Sequence, residues 1–177
     1  MEDDMAVTIA DIEMALARRH PIDKGWVFAT KVYTSTGATA NNSGGLGGLR
    51  QIDAFAMAVW PSMNYQRIAY EIKVNRADFL RELRDPAKRA QAYYLSDKFY
   101  FAVSPGIATK EDFREDRGAF FDCGLLEIHE DGSIKAIMHP LLAQTVRGHW
   151  GWPMPIDFIA SFLATVARAK DALEAKL

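Results

Sequence analysis

Residues 64–83 read NYQRIAYEIKVNRADFLREL, and this stretch decides the fold. Its first half is β-branched and aromatic with a period of two, which predicts a strand from about Asn64 to Val74. Ile68, Tyr70, Ile72 and Val74 alternate onto one face, while Glu71 and Lys73 project together from the other, so the strand is expected to be buried on one side only. Asn75 can then cap a helix through Leu83, and Asp85-Pro86 supplies a fresh cap and first-turn proline for a second helical segment reaching about Leu95. Lys98 to Val103 is short and strongly apolar and is closed by Ser104-Pro105-Gly106. Strand, kinked helical crossover and strand make a βαβ unit, so these two strands run parallel, with the right-handed connection such units take.

Upstream, a strand from about Gln51 to Trp60 and the tight turn Pro61 to Met63 complete a β-hairpin with the strand just described. If Trp60 faces Asn64, paired positions sum to 124, and Asp53 falls directly beside Glu71. Trp26 to Tyr33 is a further strand, followed by the polar, glycine-rich residues 34–49. That loop lacks the Gly-Lys-Ser/Thr ending of a phosphate-binding loop and opens toward a strand, so it is no nucleotide site and reads as a long connection or a flap leading to Asp53. Before it, Ile9, Ile12 and Leu16 recur at helical spacing behind a Thr8/Asp11 capping box, and His20-Pro21 ends the pattern. Downstream, residues 109–118 read as a charged linker. A second hairpin runs from Cys123 to His129, turns at Asp131-Gly132 and returns from Ile134 to Met138. A closing helix follows from Pro155, with Ile159, Phe162, Leu163 and Val166 on one face. The expectation is one α/β domain over residues 1–177, with a mixed sheet flanked by helices, a core at about 8–104 and a C-terminal hairpin and helix at 105–177.

Composition narrows the function without choosing it. The 177 residues are 49% hydrophobic and 25% charged with a formal charge of −2, which excludes disorder and argues against binding polyanions through the whole surface. Cys123 is the single cysteine, no signal peptide is evident, and no apolar run is long enough to span a bilayer, so a cytoplasmic protein without membrane contact is expected.

The chemistry sits at Asp53, Glu71 and Lys73, because charges in the strands of an apolar sheet need a partner or a purpose. Two facing carboxylates repel unless a cation lies between them or one stays protonated. Hard oxygen ligands without a His or Cys set suit Mg²⁺ or Mn²⁺ better than Zn²⁺, and Lys73 is placed to orient and help deprotonate a water attacking a phosphodiester. His20, His129, His139 and His149 have no ligand spacing and Cys123 has no base, so these read as structural. Arg76, Arg81, Arg84, Lys88 and Arg89 could touch phosphates, although Asp78, Glu82 and Asp85 are interleaved with them as on a solvated helix face. Arg147 to Pro153 mixes basic and aromatic residues but reads as a tail pinned to the core.

Ile52-Asp53, then Glu71-Ile72-Lys73 ending a strand, then a helix and the apolar strand Phe99 to Val103, resembles the PD-(D/E)XK nuclease superfamily over roughly residues 8–104. With Tyr70 to Asp78, it looks like the small bacterial and phage-associated DNA-repair-type nucleases of that group. Ile52 stands where the motif's name has proline. The resemblance implies a restriction-endonuclease-like αβββαβ core and a Mg²⁺-dependent (or Mn²⁺-dependent) deoxyribonuclease acting in DNA repair, recombination or phage-related DNA processing. It makes Asp53 and Glu71 metal ligands, with the Ile72 carbonyl as another, and has Lys73 serve the nucleophilic water. Glu13 matches the acidic residue often found on the first helix, and Gln91 a glutamine-tyrosine motif whose spacing here is one residue short. DNA is the implied partner, and a homodimer is compatible with it. The alternative is a non-catalytic nucleic-acid-binding or assembly module that keeps the fold.

Overall fold

The computed structural model describes residues 6–34, 50–114, 123–140 and 154–174. The chain runs α1 (Ile9–Arg19), β1 (Trp26–Tyr33), β2 (Gln51–Ala58), β3 (Arg67–Lys73), α2 (Arg76–Leu83), α3 (Pro86–Leu95), β4 (Lys98–Val103), α4 (Lys110–Arg114), β5 (Cys123–Ile128), β6 (Ile134–Met138) and α5 (Ile156–Glu174). The six strands form one open mixed sheet in sequential order from β1 to β6. β1, β2 and β3 are antiparallel, β3, β4 and β5 are parallel, and β6 returns antiparallel along the edge.

Local chemistry sets the element ends. The Thr8 side chain accepts from Asp11 N–H while Asp11 returns a bond to Thr8 N–H, so two orphan donors at the start of α1 are satisfied reciprocally. Asn75 Oδ1 accepts from the N–H groups of Ala77 and Asp78 and starts α2 as expected. Asp85 makes no such side-chain bond, and α3 begins on the preset φ of Pro86 instead. Pro61–Met63 forms a 3₁₀ turn and Gly132, at φ 76°, the tip of the β5–β6 hairpin. Residues 110–114, expected as linker, form α4, whose Phe113 is buried among core rings.

Helices cover both faces of the sheet. On one face Ile12, Ala15 and Leu16 of α1 pack with Ala54, Ala56, Ile68, Tyr70, Ile72 and Tyr100. Ile9, expected in that stripe, is half exposed, and Ala15 takes its place. On the other face α2, α3 and α5 deliver Phe79, Leu83, Ala92, Leu95, Phe158 and Phe162 onto Phe55, Ala69, Phe99 and Phe101. β3 is therefore covered on both sides rather than one, and its first four residues, Arg67 included, are buried. Arg67 is tolerable there because its guanidinium makes a two-pronged pair with Asp97, at 2.8 and 3.1 Å, that ties the start of β3 to the start of β4.

Candidate functional site

The expected register holds. Ala54 faces Tyr70, Ala56 faces Ile68, and Ala58 N–H donates to the Gln66 carbonyl at 2.8 Å, so every pair sums to 124. The ladder stops at Ala54, one residue before Asp53. If it continued, Ile72 N–H would donate to the Ile52 carbonyl. Instead β2 parts from β3, and Asp53 Oδ2 accepts from Ile72 N–H at 2.9 Å. The carboxylate of Asp53 thus fills the gap where two strands diverge, directed at the neighbouring backbone.

Backbone alternation then fixes a second oxygen. Lys73 carbonyl accepts from Ser104 N–H on the β4 side. Within a strand, the N–H and C=O of one residue point to the same neighbour and those of the next residue to the other. Ile72 therefore directs its carbonyl, with its N–H, into the gap beside Asp53.

The strands also lose their regular alternation here. Lys31, which the β1–β2 register places opposite Asp53, has φ 55°, and the paired positions on either side of it are Thr30 with Ala54 and Val32 with Ile52. Strict alternation would send Ile52 to the α1 face, but Ile52 and Val32 both join the core of the opposite face.

Glu71 and Lys73 lie two apart on β3, and Lys73 Nζ donates to Glu71 Oε1 while standing 4.0 Å from Asp53 Oδ2. The ammonium thus sits against both carboxylates. Burial raises Asp53 above its ordinary pKa and the charge of Glu82 adds to this, against the opposing pull of Ile72 N–H, Lys73 and Lys31. Burial, then the charge of Asp53, pushes Glu71 up to about 7 even with Lys73 bonded to it. Burial alone would lower Lys73, but Glu71, Asp53 and Glu82 outweigh it and hold the ammonium charged. Two partly buried carboxylates, one of them only about half ionised at neutral pH, form a pair that a bound cation would favour in its fully ionised form.

Glu82 is the residue that the sequence reading missed. The interleaved charges of α2 predict a solvated face for it, yet its side chain is only 13% exposed, it pairs with Lys88 at 3.5 Å, and its charge acts on all three site residues. A signal existed: Glu82 is three residues after Phe79 and adjacent to Leu83, the two buried positions of α2. Gln91 is buried in α3, on the layer toward which Glu71 projects. Glu13 lies on α1, which covers the opposite face, and the structure does not bring it into contact with the three charged residues.

The surrounding cations are mostly engaged. Arg76 makes a two-pronged pair with Asp112, Arg81 pairs with Asp78, and Arg89 is buried, donating to the carbonyls of Glu82 and Leu83. His20 is buried against Tyr70, as a structural histidine should be. The glycine-rich loop, apart from Thr34, and residues 147–153 lie outside the described residues.

Among the described residues no three His, Cys, Asp or Glu side chains gather into a ready metal shell. The donor set is two carboxylates and one strand carbonyl, all hard oxygens, with a lysine ammonium already serving as the local cation. That set fits a divalent ion which keeps several water ligands. Among the described residues no helix is long and apolar enough to cross a membrane. Comparisons with protein-family models, curated proteins and solved structures return no match.

Proposed function

We propose that this protein is a metal-dependent nuclease that hydrolyses phosphodiester bonds in DNA, on a restriction-endonuclease-like core. The observation that carries this reading is the gap between β2 and β3, where Asp53, Glu71 and the Ile72 carbonyl converge beside Lys73. The element order α1-β1-β2-β3-α2/α3-β4 supports it, being compatible with the order that the resemblance implies.

Asp53, Glu71 and the Ile72 carbonyl would hold Mg²⁺ or Mn²⁺, which supplies Lewis acidity toward the phosphoryl oxygens. Asp53 is fixed for this by its bond to Ile72 N–H, and the same backbone unit fixes the carbonyl. Glu71 would bind the ion in its ionised form, its proton passing to solvent. Lys73, an ammonium no longer needed as counter-charge, would face the attacking water and orient it by donating to it. DNA repair, recombination or phage-related DNA processing is the setting that the resemblance suggests.

Cleavage of DNA should need Mg²⁺ or Mn²⁺ and should vanish in Lys73→Ala. Undiminished cleavage by that variant removes Lys73 from the mechanism, and a panel of duplex, branched, nicked and single-stranded substrates reads the preference. The contact of Lys73 with both carboxylates equally suits a self-neutralised ion network in a non-catalytic nucleic-acid-binding module. Calorimetry with Mn²⁺ separates the two, because such a module has no need to bind the ion while a nuclease does.

A further inference from the structure

We infer that Lys31 is a substrate-contacting residue of this site, an ammonium held beside the Asp53 gap to receive a phosphate of the DNA backbone. The inference rests on the nuclease reading and adds a residue that the motif does not contain.

Three observations carry it. Lys31 has a left-handed backbone, φ 55°, in the interior of β1, where a side chain bearing a Cβ is strained. Register places it directly opposite Asp53, at the point where the β1–β2 pairing skips a residue and where β2 leaves β3. The left-handed residue is also what turns Val32 into the core with Ile52 and leaves Lys31 exposed between half-buried Thr30 and buried Val32. A strand could make this bend with glycine at no steric cost, and here the strained position carries an ammonium that glycine would not supply.

Charge and partners agree. Among the described residues Lys31 makes no ion pair, whereas Lys73, Arg76, Arg81 and Lys88 are each committed to an acid of the fold. Lys31 nevertheless lies close enough to Asp53 to pull its carboxyl toward the ionised form. An exposed ammonium beside a partly buried acidic site, making no ion pair with it, is positioned for an anionic substrate that reaches the site. In nucleic-acid complexes lysine contacts of this kind go to phosphates, which fix the strand without reading its sequence.

The test exploits the strain. Lys31→Gly keeps the backbone conformation and deletes the ammonium, so it should melt at or above the wild type yet raise KM for DNA about tenfold with a smaller change in kcat. Lys31→Arg should restore most of the affinity. With cleavage blocked by Lys73→Ala and Mg²⁺ replaced by Ca²⁺, removing Lys31 should lower the slope of log affinity against log salt by about one. A wild type that cleaves no DNA in Mg²⁺ or Mn²⁺ overturns the nuclease reading and this inference with it. An active wild type whose Lys31→Gly variant keeps its KM and salt dependence overturns the assignment of Lys31 alone.

Discussion

Two buried groups on opposite faces of β3 should drive stability in opposite directions over one pH window, and separating them tests the electrostatics of the site. Glu71 is pushed from 4.5 up to about 7 by burial and Asp53. The folded state therefore binds more protons than the unfolded chain between these values, and its contribution, present below 4.5, is lost as pH rises through 7. A shift of roughly 2.5 units at 1.36 kcal/mol each amounts to about 3 kcal/mol. Asp53, also raised, acts in the same sense. His20 is 5% exposed, its Nε2 is 2.6 Å from Tyr70 Oη and its Nδ1 has no partner among the described residues, and burial followed by the charge of Arg19 lowers it from 6.5 to about 4. Here the unfolded chain binds more protons, so the contribution is present above 6.5 and is lost as pH falls through 4, again by about 3 kcal/mol. In the metal-free wild type the Glu71 and His20 contributions should thus offset one another between pH 4.5 and 6.5, leaving the downward slope of Asp53. Glu71→Gln should expose the His20 slope, with stability climbing as pH rises, and His20→Gln the Glu71 slope, with stability falling. Urea unfolding at half-unit pH steps in chelator reads both. A Glu71→Gln curve parallel to the wild type would refute the perturbed carboxyl, and with it the preference for a bound cation inferred for the gap.

Further outcomes follow from the same gap. Asp53→Asn keeps an oxygen for Ile72 N–H and removes a partly buried charge, so it should match or exceed the wild type in chelator, whereas Asp53→Ala leaves that N–H unmet and should be about 1–3 kcal/mol less stable than Asp53→Asn; thermal melts of the three proteins decide this. Mn²⁺ at about 100 times its Kd should stabilise the wild type by roughly 2.7 kcal/mol and should not stabilise Asp53→Asn. Because Glu71 is only about half ionised near neutrality, Mn²⁺ binding at pH 7 should release part of a proton, seen as a dependence of calorimetric heat on buffer ionisation enthalpy and absent in Glu71→Gln.

What the sequence made readable was whatever rested on short-range rules. The Thr8/Asp11 box, the Asn75 cap and the proline start of α3 are local chemistry, and each marks a real helix end. The β2–β3 register was also readable, because a turn of fixed length leaves one way to pair two strands, and sums of 124 run from Ala58 and Gln66 to Ala54 and Tyr70. Coverage was not readable in the same way. Glu71 and Lys73 suggested an open face on β3, but whether a face is open depends on where remote helices land, and α2, α3 and α5 close it. Partial closure is what gives the site its chemistry, since carboxylates on a solvated face would keep ordinary acidity and repel only weakly.

Convergence of Asp53 and Glu71 was anticipated through a regular ladder, whereas the structure reaches it by breaking one. In a continued ladder Asp53 would stand beside Glu71 as one more outward side chain, and Ile72 would spend its N–H and C=O on Ile52. Ending the pairing at Ala54 frees both groups of Ile72, and Asp53 takes the donor and leaves the carbonyl facing the same space. Nothing in Thr30-Lys31-Val32 marks a left-handed residue, because the residue type that would announce it is glycine and here a lysine occupies the bend. Local propensity and tertiary structure disagree at Lys31, opposite the one carboxylate that caps the parted strands. A strained backbone is kept only where the surrounding fold holds it, and here the buried Val32 and Ile52 pair holds it against the core. The strain and the parted ladder are thus parts of one local rearrangement, and burial beneath the helices raises the carboxyls gathered there, which is why a substitution that relaxes Lys31 and one that neutralises Glu71 should both leave the fold intact while altering what the gap can bind.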